Sequence, residues 1–435
     1  MSIEFNKNYF FLNDDCVLIK GKTNGAIYDF EKGDVYSINN EETLILEQFE
    51  NFESIEKISK NLSIHIEKIL VFLQQVQEKG LGNFYERPVY IDKYIEFYRE
   101  ETFSKYIKLD TLIIEPHKRC SLDCIFCTDE NGKKNEEYIY CGCRKENNSM
   151  ILPIDTIKNI INEAKEFSLN SVYFCGGDPF IFKDEILELL KYCKENVPIV
   201  IAHTHATNLD EYCIDQIKDL DIHLNIPVYS YDEKIHDYIV NVNGNYKKLI
   251  TVLKMLLGKG INFEAILYIS EFNISNVKRT VNFFKNLGCK VVIQKFIYPV
   301  YEALGKKERR FLRFFNNKKF NFPKINKNTF LINKNGNVCL SKKVAINSNG
   351  NIIPCHIANN EITGNIKDVS LNNIIRKGKM DFYWNLSKDK LMPCNQCEYR
   401  YVCFNCPILE HRKVNQEFKE NMFCKYNPIN GKMEI

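Results

Sequence analysis

The chain has 435 residues, of which 45% are hydrophobic and 26% are charged, as expected for a globular protein and not for a disordered one. Its 59 Lys and Arg residues nearly balance its 56 Asp and Glu residues, so its charge gives no reason to expect nucleic acid as a partner. No apolar run reaches the ~18–20 residues that a membrane span needs. The N-terminal residues MSIEFNKNYF also lack the long apolar stretch of a signal peptide, so we expect a cytoplasmic protein with no membrane partner.

The first 85 residues predict a small winged-helix-like domain. Four short β-like runs, at 9–12, 17–20, 26–29 and 35–38, are separated by turn-forming residues. Helical patterns follow, and Ser63 is predicted to cap a helix whose apolar face runs from Ile66 to Val76 and which Gly80 ends. Residues 86–107 are expected to form a connector.

Residues 108–300 alternate between strand-like and helical patterns. Predicted strands lie at 111–114, 171–174, 199–202, 223–228, 264–269 and 290–294, and predicted helices between them include 154–167, 183–194 and 246–258. Six such units predict an α/β fold with a parallel sheet, curved into a partial (β/α)6 barrel.

Two further segments complete the predicted organisation. Residues 301–327 are basic and aromatic, which is typical of an amphipathic connector with a solvated face, although a strip that binds peptide or nucleic acid has the same composition. From 328 to 435 turns and cysteines dominate, which predicts a small domain organised by metal.

Cysteine is the unusual component, with 17 residues. In a protein expected in the cytoplasm, this number favours metal or redox use over disulfide bonds. Three cysteines lie at 120–127 and seven at 339–424. Cys193, Cys213 and Cys289 occupy apolar patterns and are expected to be buried as small hydrophobic residues. Cys141 and Cys143 lie in a polar loop and are expected to have no role in the chemistry, with a redox pair or a metal contact as the alternatives.

The first cluster is Cys120-X3-Cys124-X2-Cys127, directly after the first barrel strand. Three thiolates in one short loop can hold three irons of a [4Fe–4S] cluster, and they leave the fourth iron open for a ligand. A zinc site is the alternative for three closely spaced cysteines.

This motif resembles that of the radical S-adenosylmethionine (SAM) superfamily, in which the open iron binds SAM. Phe126 is similar to the family's aromatic residue near the adenine, and YFCGGDPF resembles its glycine-rich motif, with Asp in place of Glu. A later stretch, IPVYSYDEKIHDYIVNVNGNYKK, resembles a segment of radical SAM peptide maturases, although Pro227 replaces a serine there. The resemblance implies SAM contacts by Phe126, Gly176, Gly177, Asp178, Pro179 and Ser230.

The C-terminal cysteines resemble a SPASM domain, which holds two auxiliary [4Fe–4S] clusters. The family pattern implies that one cluster is held by Cys394, Cys397, Cys403 and Cys424. It implies that Cys339, Cys355 and Cys406 hold the other cluster. Some members of the family have a further cysteine at the position of Asn333, so the resemblance implies that one iron of this cluster is open in the present chain. A pair of structural zinc sites is the alternative for CX2C…CX2C.

With the N-terminal domain included, the chain most resembles the grasp-with-spasm type of peptide maturase. The resemblance implies that residues 1–85 bind the leader of a ribosomal precursor peptide as an added strand. It also implies an external one-electron reductant, and an ATP-grasp ligase as a further partner.

The implied activity is reductive cleavage of SAM to a 5′-deoxyadenosyl radical, which removes a hydrogen from the peptide so that a thioether or other crosslink can form. Two alternatives remain open at this point. One is a maturase of a folded protein, such as a sulfatase. The other is a non-catalytic iron–sulfur scaffold or electron carrier. No general base stands out in the sequence.

Overall fold

The computed structural model describes residues 8–93, 107–127, 135, 138–140, 142, 144–146, 149–290, 292–299, 324–403, 406–408, 424 and 426–433. The chain forms two compact units, each built from separate stretches of sequence. The first unit comprises residues 1–105, 318–341 and 385–435, and the second comprises 106–317 and 342–384.

The strands, in chain order, are β1 (Tyr9–Leu12), β2 (Cys16–Lys20), β3 (Gly25–Asp29), β4 (Asp34–Ile38), β5 (Gly82–Tyr85), β6 (Thr111–Ile114), β7 (Tyr138–Tyr140), β8 (Ser171–Phe174), β9 (Ile199–His203), β10 (His223–Val228), β11 (Phe263–Ile269), β12 (Val292–Pro299), β13 (Lys343–Ile346), β14 (Asn351–Ile353), β15 (Gly364–Asn365), β16 (Tyr426–Asn427) and β17 (Lys432–Met433). The helices are α1 (Asn40–Glu50), α2 (Ile55–Leu62), α3 (Ile66–Glu78), α4 (Ile154–Lys165), α5 (Lys183–Asn196), α6 (Glu211–Leu220), α7 (Glu233–Val240), α8 (Asn245–Gly258), α9 (Val277–Leu287), α10 (Lys327–Asn335), α11 (Leu371–Arg376) and α12 (Asp381–Trp384).

The N-terminal part of the first unit is a three-stranded antiparallel sheet, β2-β3-β4, with three helices and the β1-β5 pair. All four predicted strands are present. The prediction for Ser63 is wrong, because Ser63 has a left-handed conformation (φ 56°) and ends α2. His65 instead precedes α3, and its side chain makes no capping hydrogen bond. The left-handed turn places Ser63 two residues before His65, the residue that precedes α3, so the Ser63 side chain does not accept from the N–H groups of the first turn of α3.

The sheet β2-β3-β4 shares a hydrophobic core with the C-terminal stretches of the same unit. Tyr28 on β3 is fully buried, and its hydroxyl donates to the Glu398 carbonyl at 3.0 Å. Its ring centroid lies 5.5 Å from that of Phe330 on α10. Other members of this core are Ile19, Ala26, Phe30, Ile325, Leu331, Tyr399, Tyr401, Val402 and Tyr426. The N-terminal sheet is therefore packed directly beside the last cysteine segment of the chain.

The second unit is built on a sheet of order β15-β14-β13-β6-β8-β9-β10-β11-β12-β7. Strands β6 and β8–β12 are all parallel to their neighbours in this run, which confirms the predicted α/β fold. The last of them begins at Val292, two residues after the start of its predicted position.

Three strands from the C-terminal part of the sequence extend this sheet. Strand β13 pairs in parallel with β6, and β14 and β15 follow in antiparallel order. Sequence patterns do not indicate this pairing, because it joins residues that lie more than 200 positions apart. The predicted domain boundaries stay predictions, and the compact units divide the stretch 328–435 between them.

The face of the parallel sheet that packs on the helices forms the largest core of the second unit. Residues such as Val172, Val200 and Leu224 on the strands pack in the same core as Ile157 of α4 and Leu253 of α8. Since alternate residues of a strand point to opposite faces, Tyr173 and His203 lie on the other face. That face and the carboxyl ends of the strands position the candidate site.

Candidate functional site

The loop after β6 carries the first cysteine cluster. Cys124 and Cys127 are buried and Cys120 is half-buried. A hydrogen bond between the Cys124 and Cys127 thiols lowers the pKa of Cys127 to about 6. The Tyr140 hydroxyl, 3.3 Å from the Cys127 sulfur, contributes to the same shift. The same thiol pair and burial raise the pKa of Cys124, while burial and the nearby Asp178 raise the pKa of Cys120. Buried thiols of this kind ionise when a metal binds them.

Three thiols from one loop fit three irons of a [4Fe–4S] cluster. In the part of the chain that the structure describes, no three His, Cys, Asp or Glu side chains lie close enough to hold one metal ion. The Cys124 and Cys127 thiols, which form a hydrogen bond with each other, would each bind a different iron of such a cluster.

The glycine-rich loop after β8 packs against the backbone of the cysteine loop. A Cβ placed on Gly176, whose φ is +120°, would lie 2.1 Å from the His117 carbonyl oxygen. A Cβ on Gly177 would lie 2.1 Å from the Arg119 carbonyl oxygen. The Asp178 N–H donates to that same oxygen at 2.8 Å. The lack of a side chain at these two positions therefore leaves room for the backbone of the loop that carries the cysteines, and the predicted contact of both glycines with SAM stays a prediction.

The Asp178 carboxylate is fully buried and accepts three hydrogen bonds. They come from the Thr204 hydroxyl at 2.8 Å, the Asn208 amide at 2.9 Å and the Phe180 N–H at 3.2 Å. Pro179 begins the buried turn that contains Phe180. Sequence reasoning missed Thr204 and Asn208, although their position just after β9 places them at the carboxyl edge of the sheet.

Replacing Thr204 by Val should destabilise the protein. The substitution keeps the shape of the side chain but removes the donor to a buried carboxylate, which costs about 1–3 kcal/mol. Thermal unfolding of the two proteins measures the difference. Thr251→Val is the matched control, since Thr251 lies on the exposed surface of a helix and donates to the Lys247 carbonyl of the same helix. An equal loss in both variants would contradict the prediction.

A pocket opens where the cysteine loop meets the ends of β9, β10 and β11. Its enclosed volume is about 20 Å³. The predicted Phe126 lies in its wall, 2% exposed, with its ring edge-on to Tyr138 at 4.8 Å. The walls are formed by Cys124, Phe126, Cys127, Tyr140, His203, His205, Pro227, Tyr229, Tyr268 and Ile297. The two histidines and three tyrosines were not singled out in the sequence.

Ser230 and the residues that follow it form the turn and helix after β10. Ser230 is fully buried and accepts from the Asp232 N–H at 3.0 Å. Its predicted SAM contact stays a prediction. The Asp237 carboxylate accepts from the N–H groups of Gly244 and Tyr246 at 2.6 and 2.8 Å. These contacts fasten α7 to the start of α8.

His236 is a structural residue between two rings. Its centroid lies 5.6 Å from those of both Tyr229 and Tyr246, and its Nε2 is 3.1 Å from the Asn245 amide oxygen. Burial lowers the pKa of His236, while Asn245 and Asp237 oppose the shift. Among the described atoms its buried Nδ1 has no hydrogen-bond partner, so a second ring proton would have no acceptor.

This burial predicts a loss of stability in mild acid. Below the ordinary histidine pKa of ~6.5 the unfolded chain binds a proton that the folded His236 does not, so the free energy of unfolding falls as the pH is lowered from 7.5 to 5. We expect a shallower fall in His236→Gln, measured by thermal unfolding across this range. His65→Gln, at an exposed position, should keep the steep dependence of the original protein. Identical curves for all three proteins would show the prediction to be wrong.

A second thiol site lies in the first unit. Cys394 is buried, and Cys397, Cys403 and Cys424 are half-buried. All four line one cavity with an enclosed volume of about 30 Å³, together with Lys388, Pro393, Tyr399, Arg400, Tyr426 and Pro428. Burial raises the pKa of the Cys397 thiol. The structure thus brings together the four cysteines that the sequence pattern assigned to one auxiliary cluster, and this donor set fits a [4Fe–4S] cluster.

The other predicted cluster ligands differ in their exposure to solvent. Cys339 is exposed, Cys355 is buried after β14, and Cys406 is half-buried. Their joint site stays a prediction. Asn333 is buried and bridges two backbone segments of the first unit: its amide donates to the Tyr401 carbonyl at 2.8 Å and accepts from the Val338 N–H at 3.0 Å.

The remaining cysteines divide into buried residues and residues outside the described chain. Cys193, Cys213 and Cys289 are buried, which confirms that prediction, and Cys175 is buried as well. Cys141 and Cys143 lie outside the described residues.

In the part of the chain that the structure describes, no helix is long and apolar enough to cross a membrane.

Comparison with family models identifies the class of protein. Residues 114–284 match the radical SAM superfamily, and residues 338–398 match the SPASM iron–sulfur cluster-binding domain. The chain therefore contains a radical SAM domain and a SPASM domain. In this class the radical SAM domain provides a [4Fe–4S] cluster that binds SAM, and the SPASM domain provides auxiliary iron–sulfur clusters.

Particular relatives are distant. The PqqA peptide cyclase of Bradyrhizobium diazoefficiens is 24% identical over 33% of this chain and 34% of its own. The fold resembles that of Streptococcus suis SuiB bound to SAM, with a TM-score of 0.50 and 15% identity over 95% of this chain and 99% of SuiB. It also resembles anSMEcpe bound to SAM and the Cp18Cys peptide, with a TM-score of 0.51 and 15% identity over 74% of this chain and 93% of the other. The chain spans 63% and 34% of the lengths of the first two curated relatives that it matches.

Proposed function

We propose that this protein cleaves SAM reductively and installs a crosslink, a thioether or another bond, in a ribosomally made precursor peptide. The observation that carries the proposal is the pocket in which Cys124 and Cys127 face the carboxyl ends of the parallel strands. Ligands of parallel sheets bind at that edge, so a group held by the cysteines and a substrate in the barrel would meet there.

The cysteines would hold the cluster, and bound SAM would supply a 5′-deoxyadenosyl radical after one electron arrives from an external reductant. This chain's own residues surround that chemistry with apolar and aromatic side chains. Phe126, Tyr229 and Tyr268 are each less than 7% exposed, which keeps water from the reacting carbon. The buried hydrogen bonds of Asp178 join the glycine-rich loop to the residues after β9 at the same edge of the sheet.

Peptide recognition is assigned to the first unit. Strand β4 (Asp34–Ile38) pairs with β3 only, among the described strands, and just before its first residue the Ile325 N–H donates to the Gly33 carbonyl at 2.9 Å. At β2, by contrast, the Arg400 guanidinium donates to the Lys20 carbonyl at 3.0 Å and the Lys22 N–H donates to the Gln396 carbonyl. We therefore assign the leader peptide to the β4 edge, as an added strand.

The comparisons support a peptide substrate. A relative is named a peptide cyclase, and a structural neighbour holds a peptide with SAM. The similarity to SuiB extends over 95% of the chain, whereas that to anSMEcpe covers 74%. An ATP-grasp ligase is the further partner that the proposal includes.

The test is anaerobic reconstitution with iron and sulfide, followed by SAM, a strong reductant and quantification of 5′-deoxyadenosine. The native chain should form it, and the Cys120→Ala/Cys124→Ala/Cys127→Ala variant should not. Adding peptides that contain a candidate leader should increase the yield and give a product that has lost two hydrogens. A native chain with its full iron load that forms no 5′-deoxyadenosine would favour the scaffold alternative.

A further inference from the structure

Lys388 is a buried lysine inside the second thiol site. It begins a short 3-10 turn, Lys388–Lys390, and is only 4% exposed. Its Nζ lies 2.9 Å from the Cys403 sulfur, within hydrogen-bond distance. Lysine is almost never this buried unless its charge is compensated, because removing an ammonium group from water costs several kcal/mol. The sulfur of Cys403 is a partner that would be anionic once it binds iron.

The other cation in the wall of this cavity is engaged elsewhere. The Arg400 guanidinium forms an ion pair with Asp389 at 2.7 Å and donates to the Cys397 carbonyl at 2.8 Å. The Tyr401 hydroxyl donates to the same Asp389 carboxylate. The charge of Arg400 is thus balanced by a carboxylate, and the contacts of the Lys388 ammonium include the Cys403 thiol.

An ammonium that donates to a ligating thiolate changes the electron affinity of the cluster. The hydrogen bond withdraws electron density from sulfur, and the positive charge stabilises the reduced cluster, which carries one more negative charge. Hydrogen bonds to sulfur and local net charge are two of the properties that set iron–sulfur reduction potentials.

We propose that Lys388 is a positioning residue that raises the reduction potential of the auxiliary cluster held by Cys394, Cys397, Cys403 and Cys424, so that this cluster accepts the electron released when the crosslink forms. The proposal rests on the proposed function for the source of that electron. A substrate carbon radical and a nucleophile X–H give a C–X bond, a proton and one electron. The proton goes to solvent or a base, and the electron reduces the oxidised cluster.

The test is a redox titration followed by electron paramagnetic resonance, which needs no substrate. The full chain carries Cys120→Ala, Cys124→Ala, Cys127→Ala, Cys339→Ala and Cys355→Ala, so that one cluster with about four irons remains. In this background, Lys388→Met should favour the oxidised cluster by about tenfold, which corresponds to 59 mV for one electron. Lys388→Arg keeps the cation and should stay close to the parent. Lys390→Met removes an exposed lysine of the same turn and should also leave the potential unchanged.

An unchanged potential in a fully loaded Lys388→Met variant would overturn the proposal, as would zinc in place of iron at the four cysteines. If Lys388→Met fails to take up iron, Lys388→Gln replaces it. That variant keeps a hydrogen-bond donor without the charge, so its potential should fall by less, and no fall would again overturn the proposal. A native chain that forms no 5′-deoxyadenosine but shows the Lys388 shift would refute the proposed function and leave this inference standing.

Discussion

Gly177→Ala should abolish most of the proposed SAM cleavage although it removes none of the cysteines. The added methyl would lie 2.1 Å from the Arg119 carbonyl oxygen and 2.6 Å from that of Lys118, far inside van der Waals contact. Both neighbours are backbone atoms of the cysteine loop and cannot rotate away. The loop must therefore shift, and a displacement of ~1 Å in a reacting group costs about 100-fold in rate.

The measurement is the yield of 5′-deoxyadenosine at matched iron content. Gly258→Ala is the matched control, because a Cβ at that helical position has no neighbour within 4 Å. It should keep full activity and gain up to about 1 kcal/mol from the better helix former. Full activity of Gly177→Ala would mean that the cysteine loop tolerates displacement and that the close packing is not needed for the chemistry.

Phe330→Ala should loosen two distant stretches of the first unit together. The ring is fully buried, with centroids 5.5, 5.1 and 4.9 Å from those of Tyr28, Phe30 and Tyr401. Truncating a buried Phe costs about 3–5 kcal/mol. Because this ring contacts both the N-terminal sheet and the segment after Cys397, its loss should increase amide hydrogen exchange in both.

Hydrogen exchange of peptides that cover 25–29 and 399–402 measures this effect. The control is Phe382→Ala, at a position that is 59% exposed, where we expect a change within about 0.5 kcal/mol. Faster exchange near 399–402 alone would show that the N-terminal sheet does not depend on the shared core. Faster exchange in both would connect the proposed leader-binding sheet to the environment of the Cys394–Cys424 site.

Local patterns predicted most elements of the fold. The six parallel strands and helices α4, α5 and α8 lie within a few residues of their predicted positions, because apolar spacing reports which face of an element is buried. The error at Ser63 has a local cause. A serine can cap the start of one helix or end another in a left-handed turn, and the spacing of the surrounding residues does not distinguish the two.

The sequence by itself determined the class of chemistry. The spacings of Cys120, Cys124 and Cys127 and of the SPASM cysteines are properties of the chain, and the number of donors in a short loop limits which metal group they can hold. The GGDP motif was also visible in the sequence. The sequence did not show that its two glycines pack against the backbone of the cysteine loop.

Only the tertiary structure decided the contacts between distant residues. Tyr28 and Glu398 are 370 positions apart, and the Asp178 partners Thr204 and Asn208 are separated from it by 26 and 30. Lys388 looks like any surface lysine in the sequence, and only folding places its ammonium beside Cys403. Such pairings depend on the packing of whole elements, and apolar periodicity says which face of an element is buried without saying which element covers it.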